Sequence, residues 1–378
     1  SSRFGSSCRV SRPCWQVGRA DACGTMSLLW VDKHRPKSLD EMDYHDDLTE
    51  RLRRIAKSGE MPHLLIAGPR GAGKATRVQA LLREIYGPGA EMRKVETRQV
   101  APNPNTPSNT IDIQVVVSNH HLSVTPSDIG NKDRAVIMQL IKEVAQHPPI
   151  GGHTFKVVVI EDAGCLSIDA QAALRRTMEK FMKTCRIILT CDSVSKIIAP
   201  LRSRCLPIRV AAPSNEDVQR VLQKVAAKES VKLAPEFAHK IAEATSRDML
   251  RALLMMESAQ AQANSNSLGK EITCPREAWE QAIDKVAKKV LSDQSPKMAM
   301  EVRANVYELL AACLPPVFIL KELCRKLVAE QHSESLKQST LAAAAHFEST
   351  MNHGTKDIFH IEAFVLRFMA DYKASVQR

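Results

Sequence analysis

The segment Gly68-Pro69-Arg70-Gly71-Ala72-Gly73-Lys74 has the residue types and spacing of a phosphate-binding loop. Glycines let backbone N–H groups turn inward around phosphate oxygens, and the start of a following helix adds partial positive charge. Lys74 then reaches the β- and γ-phosphates. An intact loop continues with Ser or Thr, whose hydroxyl holds Mg²⁺; here the next residue is Ala75. Thr76 comes one residue late, and one helical residue turns a side chain by about 100°, so Thr76 does not replace the missing hydroxyl. The other half of such a site is a pair of carboxylates closing a buried strand. Glu161-Asp162 follows the run Val157 to Ile160, in the reverse of the usual Asp-Glu order. The swap moves each carboxylate by about one C–C bond, against a catalytic tolerance of roughly 0.5 Å. A solvated acidic turn is the other reading of this pair.

These residues need an α/β scaffold, and the sequence supplies one. Leu64-Leu65-Ile66-Ala67, Val157 to Ile160, Arg186 to Cys191 and Leu206 to Val210 are short apolar runs of the kind that form buried parallel strands. Helical patterns lie between them, as over Thr76 to Ile85 and Ser167 to Met182. The alternation predicts a P-loop module with a parallel sheet and helices on both faces. Breaker-rich loops span 101–110 and 146–153. After Pro213 the pattern becomes helical only, with Ser214 and Asp217 marking a helix start. The expected division is a leader over 1–25, a nucleotide-binding domain over 26–212, a helical lid over 213–263, a polar linker over 264–274 and a helical domain over 275–378.

Composition narrows the class. The 378 residues carry 53 Lys+Arg against 42 Asp+Glu, a formal charge of +11, with 44% apolar and 25% charged residues. That is globular composition, and the basic excess favours a polyanionic partner. No apolar run reaches the length of a membrane helix. Ten cysteines occur without a CxxC pair. Cys165, Cys185, Cys191 and Cys205 fall in or beside apolar runs, as buried free thiols do, in a reducing compartment of cytosol or nucleus. The first 25 residues are rich in Arg and Ser and precede the first methionine, Met26. They read as a non-native or disordered leader.

Several further motifs carry a resemblance when taken together. Trp30-Val31-Asp32-Lys33-His34-Arg35-Pro36 resembles the opening motif of replication factor C (clamp-loader) small subunits. Asp169 to Glu179 is similar to their shared helix, and Ser203-Arg204-Cys205 to their SRC motif. The stretch Ser118 to Asn131 resembles the branch in which the phosphate loop lacks its hydroxyl.

The resemblance implies an AAA+ module, a helical lid and a helical collar that assembles with other replication factor C subunits. It implies nuclear work in DNA replication and repair, with ATP used to load the sliding clamp (proliferating cell nuclear antigen) onto primer–template DNA. For this branch it implies bound ATP or ADP with poor hydrolysis and only weak support for Mg²⁺; no metal ligand is assigned. By position, Val31, Arg35 and Pro36 would line the adenine side. Gly68 to Lys74, with Ala75 and Thr76, would surround the phosphates, and Asp192 would hold the sensor position. Arg204 would be an arginine finger for nucleotide on a neighbouring subunit, and Arg175 a second contact of that kind. The lid arginine of relatives falls at Leu250, with Arg251 one residue late. Arg77, Arg83, Asn131, Lys132 and Arg134 would follow DNA phosphates. The alternatives are a self-sufficient AAA+ ATPase, which Ala75 and Glu161-Asp162 oppose, and a plain basic DNA-binding module. Leu253 to Met256 reads as lid core, and His120 and His121 as loop residues without a third metal ligand.

Overall fold

The computed structural model describes residues 28–100, 111–126, 133–146, 155–263, 267–268, 274–331, 333–351, 354 and 356–376. The leader, the loop over 101–110, residues 147–153 of the second loop, Asn131 and Lys132 lie outside them. The chain divides into two compact units, residues 1–274 and 275–378.

The first unit opens with α1 (Trp30–Lys33) and α2 (Asp46–Lys57), then β1 (Leu64–Ala67) and α3 (Lys74–Tyr86). It continues with β2 (Lys94–Val100), β3 (Ile111–Val117), β4 (His121–Val124), α4 (Asp133–Gln146), β5 (Lys156–Ile160) and α5 (Ile168–Lys180). Then come β6 (Cys185–Cys191), α6 (Ala199–Arg202) and β7 (Leu206–Arg209). The strands form one sheet in the order β2-β3-β4-β5-β6-β1-β7. From β4 to β7 every neighbour is parallel. The sheet is not wholly parallel, however: β2 and β3 pair antiparallel, and β3 pairs antiparallel with β4. β3 alternates exposed Asp112 and Gln114 with buried Ile113 and Val115, and β2 is exposed along most of its length, patterns unlike the continuous burial of the central strands.

Alternation along the central strands divides their side chains between two cores. Leu65 and Ala67, Val158 and Ile160, and Ile187 and Leu189 face α4 and α5. Leu64 and Ile66, Val157 and Val159, and Ile188 face α2 and α3. A β-branched strand buried on both faces is what a central parallel strand requires.

Arg77 belongs to the second of these cores. It is 1% exposed, donates to Thr49 Oγ1 at 3.1 Å and to the Tyr44 carbonyl at 2.8 Å, and stacks over the Tyr44 ring at 5.0 Å. The expectation that Arg77 follows DNA phosphates is therefore corrected: position on α3 turns it inward, where it fastens residues 44–49 to the phosphate-loop helix. Replacing Arg77 with Met removes both bonds and leaves the Tyr44 carbonyl without this donor, a loss of about 1–3 kcal/mol, while Thr49 keeps its bond to the His45 carbonyl. A clear drop in the denaturant midpoint of the first unit is expected.

Two buried histidines make the sheet acid-sensitive. His63 Nδ1 accepts the Ile187 N–H at 3.0 Å. Burial, and then the Arg186 charge, push its pKa down to about 4. Burial, then Arg93 and His120, do the same to His121. Both are neutral in the fold, and the unfolded chain binds their protons first. Their stabilising effect is complete above the ordinary histidine value near 6.5 and is lost as pH falls toward 4. Denaturation midpoints followed from pH 7 to 4 should fall across that window.

The lid comprises α7 (Asn215–Lys228), β8 (Lys232–Leu233), α8 (Pro235–Ala244) and α9 (Met249–Ala263) around a core of Val218, Leu222, Phe237, Ile241 and Met256. Ser214 accepts the Asp217 N–H, and Asp217 accepts the Ser214 N–H, a reciprocal cap that starts α7. Within the polar segment after α9, β9 (Ser267–Leu268) pairs parallel with β8, so this stretch is tied to the lid at that point. In the run Leu253 to Met256, Met255 and Met256 are buried in the lid core and Leu253 packs against it, while Leu254 is 40% exposed.

The second unit is helical: α10 (Ala278–Ser292), α11 (Pro296–Ala311), α12 (Pro316–Ala329), α13 (Glu334–Met351) and α14 (Asp357–Val376). Ile283, Val290, Leu309, Leu323, Ile361 and Phe364 are among its core. Among the described cysteines, Cys185, Cys191 and Cys205 are buried and Cys165 is exposed. Cys165 follows the apolar strand only after a turn, which carries it to the surface.

Candidate functional site

The phosphate loop joins β1 to α3. Gly68 N–H donates to the Cys191 carbonyl at 3.1 Å, and a Cβ on Gly68 would stand 2.0 Å from the Val210 carbonyl oxygen. Only glycine fits so close to β7. Gly71 and Gly73 have φ of 68° and 82°, the left-handed region in which a side chain is strained. Both also lie against other groups: a Cβ on Gly71 would meet Asp248 of the lid, and one on Gly73 would meet the Tyr44 hydroxyl.

Beside the loop lies a cavity of about 330 Å³. Val31, Arg35 and Pro36 line it, as do Pro69 and Gly71 to Thr76. The lid contributes Val221, Lys224, Leu250 and Leu253. Leu250 and Leu253 make the lid side of this wall apolar. Gly68, Arg70 and Asp192 are not on the wall.

Asp192 instead reaches the loop from β6. Lys74 Nζ lies 2.5 Å from Asp192 Oδ1 and also donates to the carbonyls of Gly68 (2.5 Å) and Pro69 (3.2 Å). Arg70 Nε lies 3.2 Å from Asp192 Oδ2. Partial burial raises the Asp192 pKa, but hydrogen bonds and charge from Lys74, and then from Arg70, outweigh it and hold the carboxyl below its usual range. The lysine expected to meet phosphate is therefore already neutralised.

Sequence reading missed Tyr44. Its hydroxyl donates to the Ala72 carbonyl at 3.2 Å, and burial raises its pKa, so it stays a donor. Neighbouring Asp43 pairs with Lys224 of the lid at 2.5 Å. The Met249 N–H of the lid points to the Gly71 carbonyl at 3.4 Å. Lid and loop are thus connected both directly and through residues 43–44. Only a short Asp-Tyr-His sequence marks that segment, and it has no periodicity to reveal it.

The cation-holding half of the site is incomplete. Ala75 offers no hydroxyl, and Thr76 Oγ1 already accepts from Arg35 Nε at 3.3 Å. Glu161 Oε1 accepts from Ser123 Oγ at 3.0 Å and shares a small inner cavity with Ala75. Asp162 adopts φ 50°; its N–H donates to Thr190 Oγ1 at 3.1 Å and its Oδ2 accepts from Cys165 Sγ at 3.2 Å. These donors do not fit Mg²⁺. Among the described residues no cluster of three or more His, Cys, Asp or Glu could hold a metal.

Just beyond α6, Arg204 Nη2 lies 2.6 Å from Glu179 Oε1, and its Nη1 donates to the Pro200 carbonyl at 2.8 Å. Arg175 lies 3.6 Å from the same carboxylate oxygen. The two arginines singled out from sequence therefore share one partner, Glu179. Its carboxyl is held below its usual range, first by the Arg204 hydrogen bond. Arg83 pairs with Glu91 at 2.9 Å, and Arg134 is exposed near the start of α4.

A phosphate loop between β1 and α3, a five-strand parallel core and a helical lid closing over the loop define an AAA+ module. The comparisons agree. Family models described as "Replication factor C subunit 3, C-terminal domain", "RCF1/5-like, AAA+ ATPase lid domain" and "DNA polymerase III, delta subunit" match residues 279–376, 220–261 and 44–214. Replication factor C subunit 3 of Homo sapiens is 45% identical over 349 residues, covering 91% of this chain and 96% of that protein. The Arabidopsis thaliana protein of the same name is 44% identical over 351 residues, covering 92% and 98%. Replication factor C subunit 5 of Schizosaccharomyces pombe is 42% identical over 353 residues, covering 91% and 97%. A solved structure of a Thermotoga maritima RuvB mutant is alike in fold alone, with a TM-score of 0.50 and 12% identity over 72% of this chain and 85% of that one. The chain belongs to the replication factor C subunit 3 family.

Proposed function

We propose that this chain is a nucleotide-binding, weakly hydrolysing subunit of a replication factor C clamp loader, and that it acts chiefly on its neighbour's nucleotide. One observation carries the reading. A glycine phosphate loop ending in Lys74, beside a lid-covered cavity, is combined with Ala75 in place of a hydroxyl residue and the diversion of Glu161 and Asp162 to protein partners. The phosphates of ATP or ADP would rest on the loop's N–H groups and Lys74, with the base against Val31, Arg35 and Pro36.

Arg204 is the trans-acting group in this reading, and Arg175 stands beside it. The partners are other replication factor C subunits, the sliding clamp and primer–template DNA, in the nucleus, in replication and repair. Arg134 remains the described residue best suited to DNA phosphates. Arg83 is already paired, while Asn131 and Lys132 stay as sequence-based assignments.

Calorimetry of ADP on the full chain, together with ATP turnover of the chain alone, tests the proposal. Binding with negligible turnover supports it. No binding defeats it, and brisk turnover by the isolated chain favours the self-sufficient ATPase. Co-purification with sister AAA+ subunits tests the assembly.

A further inference from the structure

A second cavity, also of about 330 Å³, lies on the other flank of α3. Gln79 and His121 line it, with Lys37, Arg93 and Arg35 around them. Arg35 and Pro36 also line the nucleotide cavity, so the two spaces adjoin.

The polar groups here converge without satisfying one another. His121 is 5% exposed, and its Nδ1 is buried with no hydrogen-bond partner. A buried polar atom left without a partner is uncommon and calls for an explanation. Neither Arg93 nor Lys37 has an ion-pair partner among the described residues. The other charged residues around the cavity are Arg83 and Glu91, which neutralise each other at 2.9 Å, and exposed Asp32; Glu161, held by Ser123 Oγ, lines the small inner cavity that shares Gln79, Arg93 and His121 with this cleft. Cations therefore outnumber acids.

We propose that this cleft is a second anion site, separate from the nucleotide cavity, for a small phosphate-bearing anion such as inorganic phosphate or pyrophosphate. Guanidinium and ammonium groups at the rim are partly in solvent, where screening weakens a single charge. A multivalent anion gains from each of them, whereas a lone carboxylate gains little. Arg93 matches phosphate oxygens with a planar fork of donors, and the Gln79 amide and one imidazole N–H add neutral donors. With its pKa near 4, His121 is neutral at physiological pH, so it offers an N–H without adding a charge that an empty cleft would have to tolerate. None of this depends on hydrolysis or on the nucleotide reading.

The test is calorimetric titration of inorganic pyrophosphate into the full chain saturated with ADP, with His121 ring resonances followed by NMR. Pyrophosphate should bind, shift the His121 signals and bind at least tenfold more weakly to Arg93→Ala, with Arg93→Lys between the two. Arg93 is exposed, so its replacement leaves the fold intact; Gln79→Ala should also weaken binding. Loss of pyrophosphate binding once ADP saturates the chain would place the anion on the phosphate loop and overturn the proposal. Unchanged affinity in Arg93→Ala would overturn it too, as would capture of a DNA duplex without any affinity for pyrophosphate. If ADP does not bind at all, the same titration without nucleotide still reports on this cleft through Arg93 and His121.

Discussion

Replacing Arg204 with Ala is expected to slow ATP hydrolysis at the adjoining subunit's site by about 10³–10⁵, the contribution an arginine finger makes. Turnover of the whole complex then falls by that site's share. The nucleotide affinity of this subunit should not change, because Arg204 touches Glu179, Pro200 and Ser203 rather than the cavity. Arg204→Lys should be nearly as poor: it keeps the charge but loses the planar fork. In the chain alone both guanidinium edges are engaged, so a phosphate of the neighbour must compete with Glu179. That competition is winnable. Glu179 is half exposed, and solvent screening leaves an exposed ion pair weak. Steady-state turnover of the reconstituted complex, with primed DNA and clamp, decides the matter. Unchanged turnover in both variants would leave Arg204 as a surface ion pair and no more.

The second large effect is expected at Lys74 and Asp192. Lys74→Ala should weaken ADP binding by about 10–100-fold, since a hydrogen bond to a charged group contributes about 1.5–3 kcal/mol. Asp192→Asn should act in the opposite direction. It keeps the shape, removes the carboxylate that neutralises Lys74 and Arg70, and frees both cations for phosphate. The gain should be larger for ATP than for ADP, because a third phosphate adds negative charge that the carboxylate repels. About tenfold, or 1.4 kcal/mol, is the expected scale for ATP. Calorimetry with both nucleotides on both variants checks this, and equal gains for ATP and ADP would show that Asp192 does not discriminate by charge.

Sequence alone determined the features that depend on local order. The glycine loop between an apolar strand and a helix, the missing hydroxyl at Ala75 and the continuous β-branched strands are read directly, because backbone conformation and full burial leave marks on neighbouring residues. The Ser214–Asp217 cap was legible for the same reason. The family motifs also lay on the page as contiguous stretches. Tertiary structure decided what depends on residues distant in the chain. It turned Arg77 into the core and brought Tyr44 onto Ala72. It joined Arg204 and Arg175 through Glu179 and set Asp192, at the end of β6, against Lys74 of α3. It also added the antiparallel pair β2–β3, of which β2 is mostly exposed and β3 alternates, where the central strands are buried continuously. Charge type is written in a sequence, but whether a charge meets water, a partner or a ligand is fixed only when the sheet and lid bring separate segments together.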